Sequence, residues 1–322
     1  MLTYHPSGID ASFRGAQRVL TAALPECTHA DGNTTLDGPM ALERPRTVQS
    51  SIVEPGPYCR QVSGEPVVAF RAFLDGIQRT RVLGYLNGIP LIYGTIAAVV
   101  RARIDRKLVT WRSPLIERRL YVPERALPRS ALDALRNHFD ITDTAADSDG
   151  AVERHPIGLM ERAVPLVQTD RSRLEKQLAD AWCADETEPV LVDGGISGSE
   201  RAAKSGLAVG AIKTHRTLYL DGDALTAVLA MRAGNRSAAF RISSARSPVV
   251  SWYLRLRDAG GHDPMWGLLR VEIAEGSSLS ARADEVSRWL LAERTPLALP
   301  DGRWDRMTYG VRGCEEYLRA IL

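Results

Sequence analysis

The sequence lacks both paired cysteines and a long hydrophobic run. Its four cysteines lie far apart with no C-x-x-C pair, which argues against a zinc ribbon and a disulfide framework, so we expect reduced, mostly buried thiols. The longest apolar stretch, residues 89–100, contains Pro90 and is far shorter than the roughly 20 residues of a membrane-spanning helix. No basic segment followed by an apolar run begins the chain, so no secretory signal is expected. These absences predict a cytoplasmic protein with no membrane partner.

An excess of charge of one sign is also absent, since the net charge is +2. Nucleic-acid-binding surfaces are usually local clusters of Lys and Arg, so this average excludes nothing. Arginine greatly outnumbers lysine and clusters at residues 79–81, 101–106, 118–119, 255–257 and 303–306. One guanidinium group can bind two phosphate oxygens at once, so these clusters would suit a polyanion. Each cluster could instead be a solvated face. The candidate DNA contacts are Arg79, Arg81, Lys213, Arg216 and Arg255.

The length and composition favour one large α/β domain with additions. The chain has 322 residues, of which 44% are hydrophobic and 25% charged, as in ordinary soluble globular proteins. Residues 1–65 are rich in Pro, Gly and polar side chains and are predicted to be an N-terminal decorating segment. The main domain is predicted to span residues 66–322.

Short β-rich runs follow one another after residue 66, separated by Asp75-Gly76 and Asn87-Gly88. Such dipeptides between apolar runs are strong hairpin signals, so we predict three consecutive antiparallel strands. The run Val190 to Asp193 is bounded by glycine and too short for a helix, which indicates a buried parallel strand. After a charged connection, the remaining predicted elements are helices at 130–139, 171–183, 223–232, 281–293 and 311–322, an acidic loop at 140–153, and strands at 208–213, 238–242, 249–256 and 268–273.

This order of three antiparallel strands, helices and parallel strands is that of an RNase H-like core. We therefore predict an α/β fold with a mixed β-sheet flanked by helices. Asp75 is predicted to end the first strand, and Asp193 ends the strand expected to pack beside it. Open α/β sheets bind ligands beyond the carboxyl ends of their strands, so the two acids could share a site. Carboxylates suit Mg²⁺ or Mn²⁺, and such ions hydrolyse phosphodiesters by activating water and stabilising the leaving oxygen.

A third carboxylate is expected from the helix between these strands, and we predict that it is Glu175. Glu175 lies beside the apolar stripe of Leu174 and Leu178 in an uninterrupted amphipathic helix. Glu161 is the competing acid, but Pro165 would interrupt a helix continuing through it. Each acid alone also has a structural explanation, since Asp-Gly usually marks a turn and a helical Glu is usually solvated.

The chain resembles the NurA nuclease family over roughly residues 66–320. Six short segments carry the resemblance in family order: Phe73 to Gly76, Val190 to Gly194, Val209 to Arg216, Arg236 to Phe240, Ser251 to Leu256 and Leu269 to Glu272. The resemblance implies a DNA exonuclease and single-strand endonuclease that uses Mn²⁺ (or Mg²⁺), with metal roles for Asp75, Glu175 and Asp193. It also implies a homodimer partnered by a HerA-type hexameric ATPase that feeds it DNA, in end processing or phage defence.

Further polar residues in these segments are candidate catalytic groups. Lys213 and His215 follow a predicted strand, with Arg216 beside them, and could grip the scissile phosphate or the DNA strand leading to it. The alternative is that Lys213 is a surface residue. Glu272 could be a fourth acid or could be paired with a neighbouring arginine such as Arg270.

One feature of the NurA family is missing. Members usually carry an Ala-His pair after a Tyr near the C-terminus, with that His near the metals. Here Tyr309 is followed by Gly313-Cys314, and no His follows His262. The role of the His is therefore unfilled or is taken by Tyr309, Arg312 or another group.

Two other interpretations compete with a nuclease. Residues 198–205 resemble a P-loop, but Ala203 stands where the motif needs a second Gly before its Lys, and no apolar strand ending in a Walker-B-like acid follows. The second is a catalytically inactive RNase H-like scaffold that binds DNA or an ATPase, an interpretation supported by the missing C-terminal His.

Overall fold

A computed structural model of the chain shows a helix-flanked sheet. It describes residues 8–29, 46–48, 50–105, 107–145, 154–242, 247–260, 262–276, 278–294 and 309–322. The helices are α1 (Gly8–Ala23), α2 (Arg129–Arg136), α3 (Pro156–Asp185), α4 (Glu200–Ser205), α5 (Gly222–Leu229), α6 (Leu279–Glu293) and α7 (Tyr309–Ile321). The strands are β1 (Thr28–His29), β2 (Arg46–Thr47), β3 (Ser51–Ile52), β4 (Cys59–Gln61), β5 (Ala72–Leu86), β6 (Ile89–Ile104), β7 (Lys107–Val122), β8 (Asp140–Asp143), β9 (Val190–Asp193), β10 (Ala208–Ile212), β11 (Thr217–Leu218), β12 (Asn235–Ser237), β13 (Phe240–Ile242), β14 (Val249–Arg255) and β15 (Leu268–Ile273).

One large mixed sheet organises these elements, in the order β3-β13-β14-β15-β10-β9-β5-β6-β7-β8. Strands β5, β6 and β7 are antiparallel neighbours, and β9 runs parallel to both β5 and β10. Asn87 and Gly88 form the turn between β5 and β6 with positive φ angles of 50° and 80°, as a tight hairpin turn requires. The prediction of an α/β fold with a mixed sheet flanked by helices is confirmed.

The two faces of the sheet are covered by different helices. Ala72 and Leu74 of β5 pack against α3 in one core cluster, whereas Phe73, between them, belongs to a second cluster with Val311 and Leu318 of α7. Successive side chains of a strand point to opposite faces, so this alternation defines an α3 face and an α7 face.

Part of the N-terminal segment belongs to the same body. Strands β1, β3 and β4 pair with β5, β13 and β12 of the large sheet. Helix α1 buries Phe13 and Leu20 against Leu83, Tyr93 and Leu120 in a third core cluster. Helix α1 and strands β1, β3 and β4 thus extend the large sheet and its core, while β2 pairs with β11 in a separate two-stranded sheet.

Several local predictions were wrong, among them the acidic loop at 140–153, whose first residues form β8 (Asp140–Asp143). Strand β5 continues through Asp75-Gly76, which is therefore no turn, and β7 occupies the region predicted to be a charged connection. Many side chains of β7 are exposed, and Arg112 has a positive φ of 56°, so the strand lacks a regular apolar alternation. Helix α3 continues through Pro165, whose missing hydrogen-bond partner would be the carbonyl of exposed Glu161, where water can replace it.

The structure can be compared with two features that the sequence lacks, a membrane-spanning run and paired cysteines. Among the described residues, no helix combines the length and the apolar character needed to cross a bilayer. All four cysteines are free thiols, and Cys27 and Cys314 are buried while Cys59 and Cys183 are partly buried.

Candidate metal centre

Asp75 and Asp193 lie on adjoining parallel strands. The pairing of β5 with β9 ends at Leu74 and Val192, the residues just before the two acids. By the alternation of the strands, both carboxylates project toward the α7 face, as Phe73 does. The two acids are therefore side by side where the strands stop pairing.

The two strands separate directly after the acids. Strand β9 ends at Asp193, and Gly194, with φ +119°, turns the chain so that its N–H donates to the carbonyl of Ala211 at 3.0 Å. Strand β5 instead continues to Leu86. The prediction that Asp75 ends its strand is therefore wrong, because only one of the two acids is at a strand end.

Glu175 reaches this point from the other face of the sheet. A Cβ atom at Gly76 would lie 2.5 Å from Glu175 Oε1, so the carboxylate occupies the space that a side chain at this position would fill. Arg171, one helical turn earlier, donates to Glu175 Oε1 at 3.0 Å and to the Gly76 carbonyl at 3.2 Å. Sequence reasoning missed both Gly76 and Arg171, although the four-residue spacing of Arg171 and Glu175 is a recognisable helical pair.

Burial and neighbouring acids raise the pKa of Asp75 and of Glu175. Burial, followed by the charges of Asp193 and Glu175, raises the pKa of Asp75 well above its usual range, against Lys213 and Arg171. Burial and the charge of Asp193 raise the pKa of Glu175 to about 7, although Arg171 opposes the shift. Asp75 is only 4% and Glu175 only 8% exposed. Burial and repulsion between the acids thus outweigh the attraction of the neighbouring Lys213, Arg171 and Lys176.

Lys213 contacts one of the acids directly. It follows β10, in which Ala211 pairs with Asp193, so the side chain of Lys213 lies on the same face two residues further on. Its Nζ is 2.8 Å from Asp193 Oδ1, and both side chains are mostly buried. Lys213 therefore belongs to the acid cluster rather than to the open surface.

A small cavity adjoins the cluster on the α3 side. Its volume is about 140 Å³, and its lining includes Arg171, Glu175, Lys176 and Asp193. Among the described residues, no group of three or more His, Cys, Asp or Glu is arranged to hold a metal ion directly. The donor chemistry nevertheless fits a divalent cation, because the cluster offers hard carboxylate oxygens whose repulsion a cation would relieve.

The other candidate catalytic residues lie apart from these contacts or outside the described side chains. His215 Nε2 is 3.0 Å from the carbonyl oxygen of Leu268, and its ring packs on Tyr253. The backbone carbonyl of Arg216 accepts a hydrogen bond from the N–H of Arg46. Tyr309 begins α7, but its side chain is outside the described residues.

The candidate DNA-binding arginines differ in their surroundings. Arg255 is completely buried, and its guanidinium donates to the carbonyls of Val228, Leu229 and Trp266. The prediction that it contacts DNA does not agree with this burial. Arg79 and Arg81 are half-buried on β5. The cluster at residues 303–306 lies outside the described residues.

Glu272 supports the loop that follows Asp193. Its Oε1 accepts a hydrogen bond from Arg270 at 2.6 Å, and its Oε2 accepts from the N–H groups of Ile196 at 2.9 Å and Ser197 at 3.3 Å. Glu272 is 2% exposed and is therefore a buried, paired acid that positions this loop.

The P-loop-like segment has a different arrangement from a phosphate-binding loop. Lys204 is exposed and paired with Glu200 at 2.6 Å. The N-terminus of α4 is occupied by the Asp180 carboxylate, which accepts hydrogen bonds from Ser199 Oγ and from the N–H of Ala202. An acid at this position would repel a phosphate, which does not favour the P-loop hypothesis.

The chain matches no protein-family model, and no curated protein matches it.

Proposed function

We propose that the chain is a metal-dependent DNA nuclease with an RNase H-like core, similar to the NurA nucleases. The observation that carries the proposal is the electrostatic interaction of Asp75, Asp193 and Glu175: the charge of Asp193 raises the pKa of both Asp75 and Glu175, and the charge of Glu175 raises that of Asp75. Acids whose pKa is strongly shifted by burial and by neighbouring charges are typical of functional sites. A divalent cation is the simplest partner that would offset this charge.

The residues of the chain have separate tasks in this proposal. Asp75, Asp193 and Glu175 would hold Mn²⁺ or Mg²⁺, and the bound cation would activate water and stabilise the leaving oxygen. Arg171 holds the Glu175 carboxylate against Gly76. Lys213 contacts Asp193 and brings a positive charge to the site, where it could orient a phosphate of the substrate.

The direct test is cleavage of linear DNA. Purified protein is incubated with linear single-stranded and double-stranded DNA in Mn²⁺, in Mg²⁺ and in a chelator, beside Asp193→Asn protein. We expect the wild type to cleave DNA only when a metal is present, and the variant not to cleave it at all. The proposal would be refuted if the wild-type protein cleaved no DNA in either metal, even after its ATPase was added.

The proposed partners are DNA, a second copy of the chain and a HerA-type hexameric ATPase, in the cytoplasm. The resemblance to NurA nucleases supports these partners, and we propose DNA end processing or phage defence as the setting. Light scattering checks the homodimer. Cleavage with and without the ATPase, in ATP and in a non-hydrolysable analogue, checks the coupling.

A specific observation favours one second candidate, an inactive scaffold of the same fold. Lys213 already pairs with Asp193, and the described residues include no group of three or more His, Cys, Asp or Glu arranged to hold a metal directly. In a scaffold, Lys213 would replace the cation permanently. The variant Lys213→Ala distinguishes the two functions. If the chain is a scaffold, the variant should lose folding stability and gain no affinity for metal. If the chain is a nuclease, the variant should still bind metal.

A further inference from the structure

A strip of the sheet extends beyond Asp75 on the α7 face. The strand register places Ile77, Ala97 and Ile116 in one row across β5, β6 and β7. The next row consists of Arg79, Thr95 and Arg118. Directly opposed residues of antiparallel strands share a face, and residues two apart on one strand do as well. Both rows therefore share the face of Asp75.

The contacts of the neighbouring residues confirm this orientation. Glu117 and Arg119 flank Arg118 on β7 and form a salt bridge with each other at 3.0 Å. Glu117 also pairs with Arg173 of α3, so Glu117 and Arg119 lie on the α3 face. Arg118, between them, points to the opposite face.

The strip lies between two helices. Helix α7 packs at Phe73, where a Cβ atom on Gly310 would collide with the aromatic ring. On the other side, the guanidinium of Arg81 lies over the ring of Phe13 of α1, with its Cζ 5.2 Å from the ring centroid. Between these contacts Ile116 is 36% exposed, and Arg118 is also exposed.

The two arginines of the strip differ from their neighbours in pairing. Arg119 and Arg173 share Glu117, and Arg103 forms a bidentate pair with Glu293. Arg79 and Arg118 form no salt bridge or side-chain hydrogen bond with any residue that the structure describes. Their charges thus lack a counterion within the described part of the fold, which suits an anionic partner.

We propose that this strip binds the sugar-phosphate backbone of the DNA strand that leads to the acids. The inference rests on the proposed nuclease function and names where its substrate runs. Four residues of strand separate Arg79 from Asp75, about 13 Å, and two strand spacings separate Arg79 from Arg118, about 10 Å. These distances correspond to the length of a few nucleotides, so one DNA strand could span both arginines and the acid cluster.

The chemistry of the strip favours DNA over another occupant. Its charged groups are both guanidinium groups, which match phosphate oxygens. Among its other residues Ala97 and Thr95 are buried and Ile116 is exposed, so the strip presents no aromatic ring for base stacking and no row of amides for reading bases. We therefore expect salt-dependent binding with little sequence preference.

The experiment measures binding without cleavage. Asp193→Asn protein in chelator is titrated into a fluorescent single-stranded oligonucleotide at several salt concentrations, and the slope of log affinity against log salt is measured. Each lost phosphate contact should lower the magnitude of this slope by about 0.7 for single strands. Arg79→Gln with Arg118→Gln should thus lower it by about 1.4. Arg119→Gln, one residue away on the α3 face, should leave it unchanged.

The outcomes separate this inference from the nuclease proposal. An unchanged slope in the double variant, or an equal loss in Arg119→Gln, overturns it, and so does a double variant that changes oligomeric state but binds DNA normally. A wild type that binds DNA through both arginines but never cleaves refutes the nuclease and supports the strip. If the double variant fails to fold, Ile116→Glu, which adds a negative charge to the exposed floor, must weaken DNA binding by itself.

Discussion

Buried acids in two regions of this protein have pKa values shifted in opposite directions: Glu54 in one region, Asp75 and Glu175 in the other. Glu54 receives two hydrogen bonds from Arg236 at 2.7 and 2.8 Å and one from Arg60 at 2.9 Å. Burial acts to raise its pKa, but the hydrogen bonds and charge of Arg236 help lower it to about 2. Asp75 and Glu175 are equally buried, but burial and neighbouring acids raise their pKa. Glu54 fastens the N-terminal segment to the sheet, whereas ionising Asp75 or Glu175 costs stability.

The comparison distinguishes structural acids from functional ones by their partners. A buried carboxylate that serves only the fold gains from complete pairing, and Glu54 with Arg236 has it. A cluster whose acids repel one another is retained when a ligand supplies the missing positive charge. The difference predicts that substitutions in the two groups change different properties.

The largest expected effect is on activity at the acid cluster. Asp75→Asn and Asp193→Asn should each reduce DNA cleavage to background while the protein stays folded, because each removes a metal-binding charge but no core packing. Mn²⁺ should raise the Tm of the wild type by binding to the folded state, and should raise that of the variants far less. Cleavage assays and thermal unfolding in Mn²⁺ or chelator measure both. Full activity in either variant would contradict the assignment.

The reverse pattern is expected at the structural pair. Glu54→Gln leaves the fully buried guanidinium of Arg236 with only part of its ion pairing, so unfolding should become easier by about 3 to 5 kcal/mol. Chemical denaturation measures the loss, and the Mn²⁺-dependent shift in Tm should survive. Because the pKa of Glu54 is lowered to about 2, its stabilisation is present above pH 4.5 and is lost as the pH falls toward 2. Equal acid sensitivity of wild type and variant would contradict this role.

A smaller effect is expected at Gly76. In Gly76→Ala the added Cβ would lie 2.5 Å from Glu175 Oε1 and 3.0 Å from the Ala97 carbonyl, so the Glu175 carboxylate must move. A misplaced ligand should lower kcat by about 100-fold, with a smaller change in KM. Gly15→Ala, where a Cβ meets no atom within 4 Å, is the matched control. Equal kcat in the two variants would mean that Glu175 does not need its present position.

The site of Gly76 shows how far the sequence alone predicts this protein. The Val190 to Asp193 strand and its neighbour in the sheet were predictable, because an apolar run bounded by glycines has few other interpretations. Asp75-Gly76 has the composition of a turn but lies within a strand, where the glycine admits a carboxylate from α3. Local composition cannot distinguish these cases, since the reason for the glycine lies about 100 residues away in the chain.

Other parts of the site were unpredictable for similar reasons. The Lys213 pair with Asp193 depends on the register of β10 against β9, which the sequence does not specify. The predicted break at Pro165 followed a sound local rule, but the packing of a 30-residue helix against the sheet outweighs one missing hydrogen bond. Long-range packing decided each of these features.

The smallest expected effect is a gain in stability. The raised pKa of Glu175, about 7, means that the folded protein binds this proton more tightly than the unfolded chain does. Its stabilising effect is therefore complete below pH 4.5 and is lost as the pH rises through 7. Glu175→Gln keeps a neutral side chain at every pH, so at pH 8 without metal it should be more stable than the wild type by about 1 to 3 kcal/mol, but inactive.

Glu161→Gln is the matched control for this last prediction, because Glu161 lies on the same helix with an exposed side chain. It should cleave DNA normally and follow the wild-type dependence of stability on pH. Urea unfolding of the three proteins between pH 5 and 8 in chelator measures the difference, which should widen with pH for Glu175→Gln alone. Saturating Mn²⁺ should then reverse the order, since the cation stabilises the charged wild type and has one ligand fewer in the variant. A Glu175→Gln protein that is less stable at pH 8 and still active would identify Glu175 as an ordinary paired acid, like Glu54.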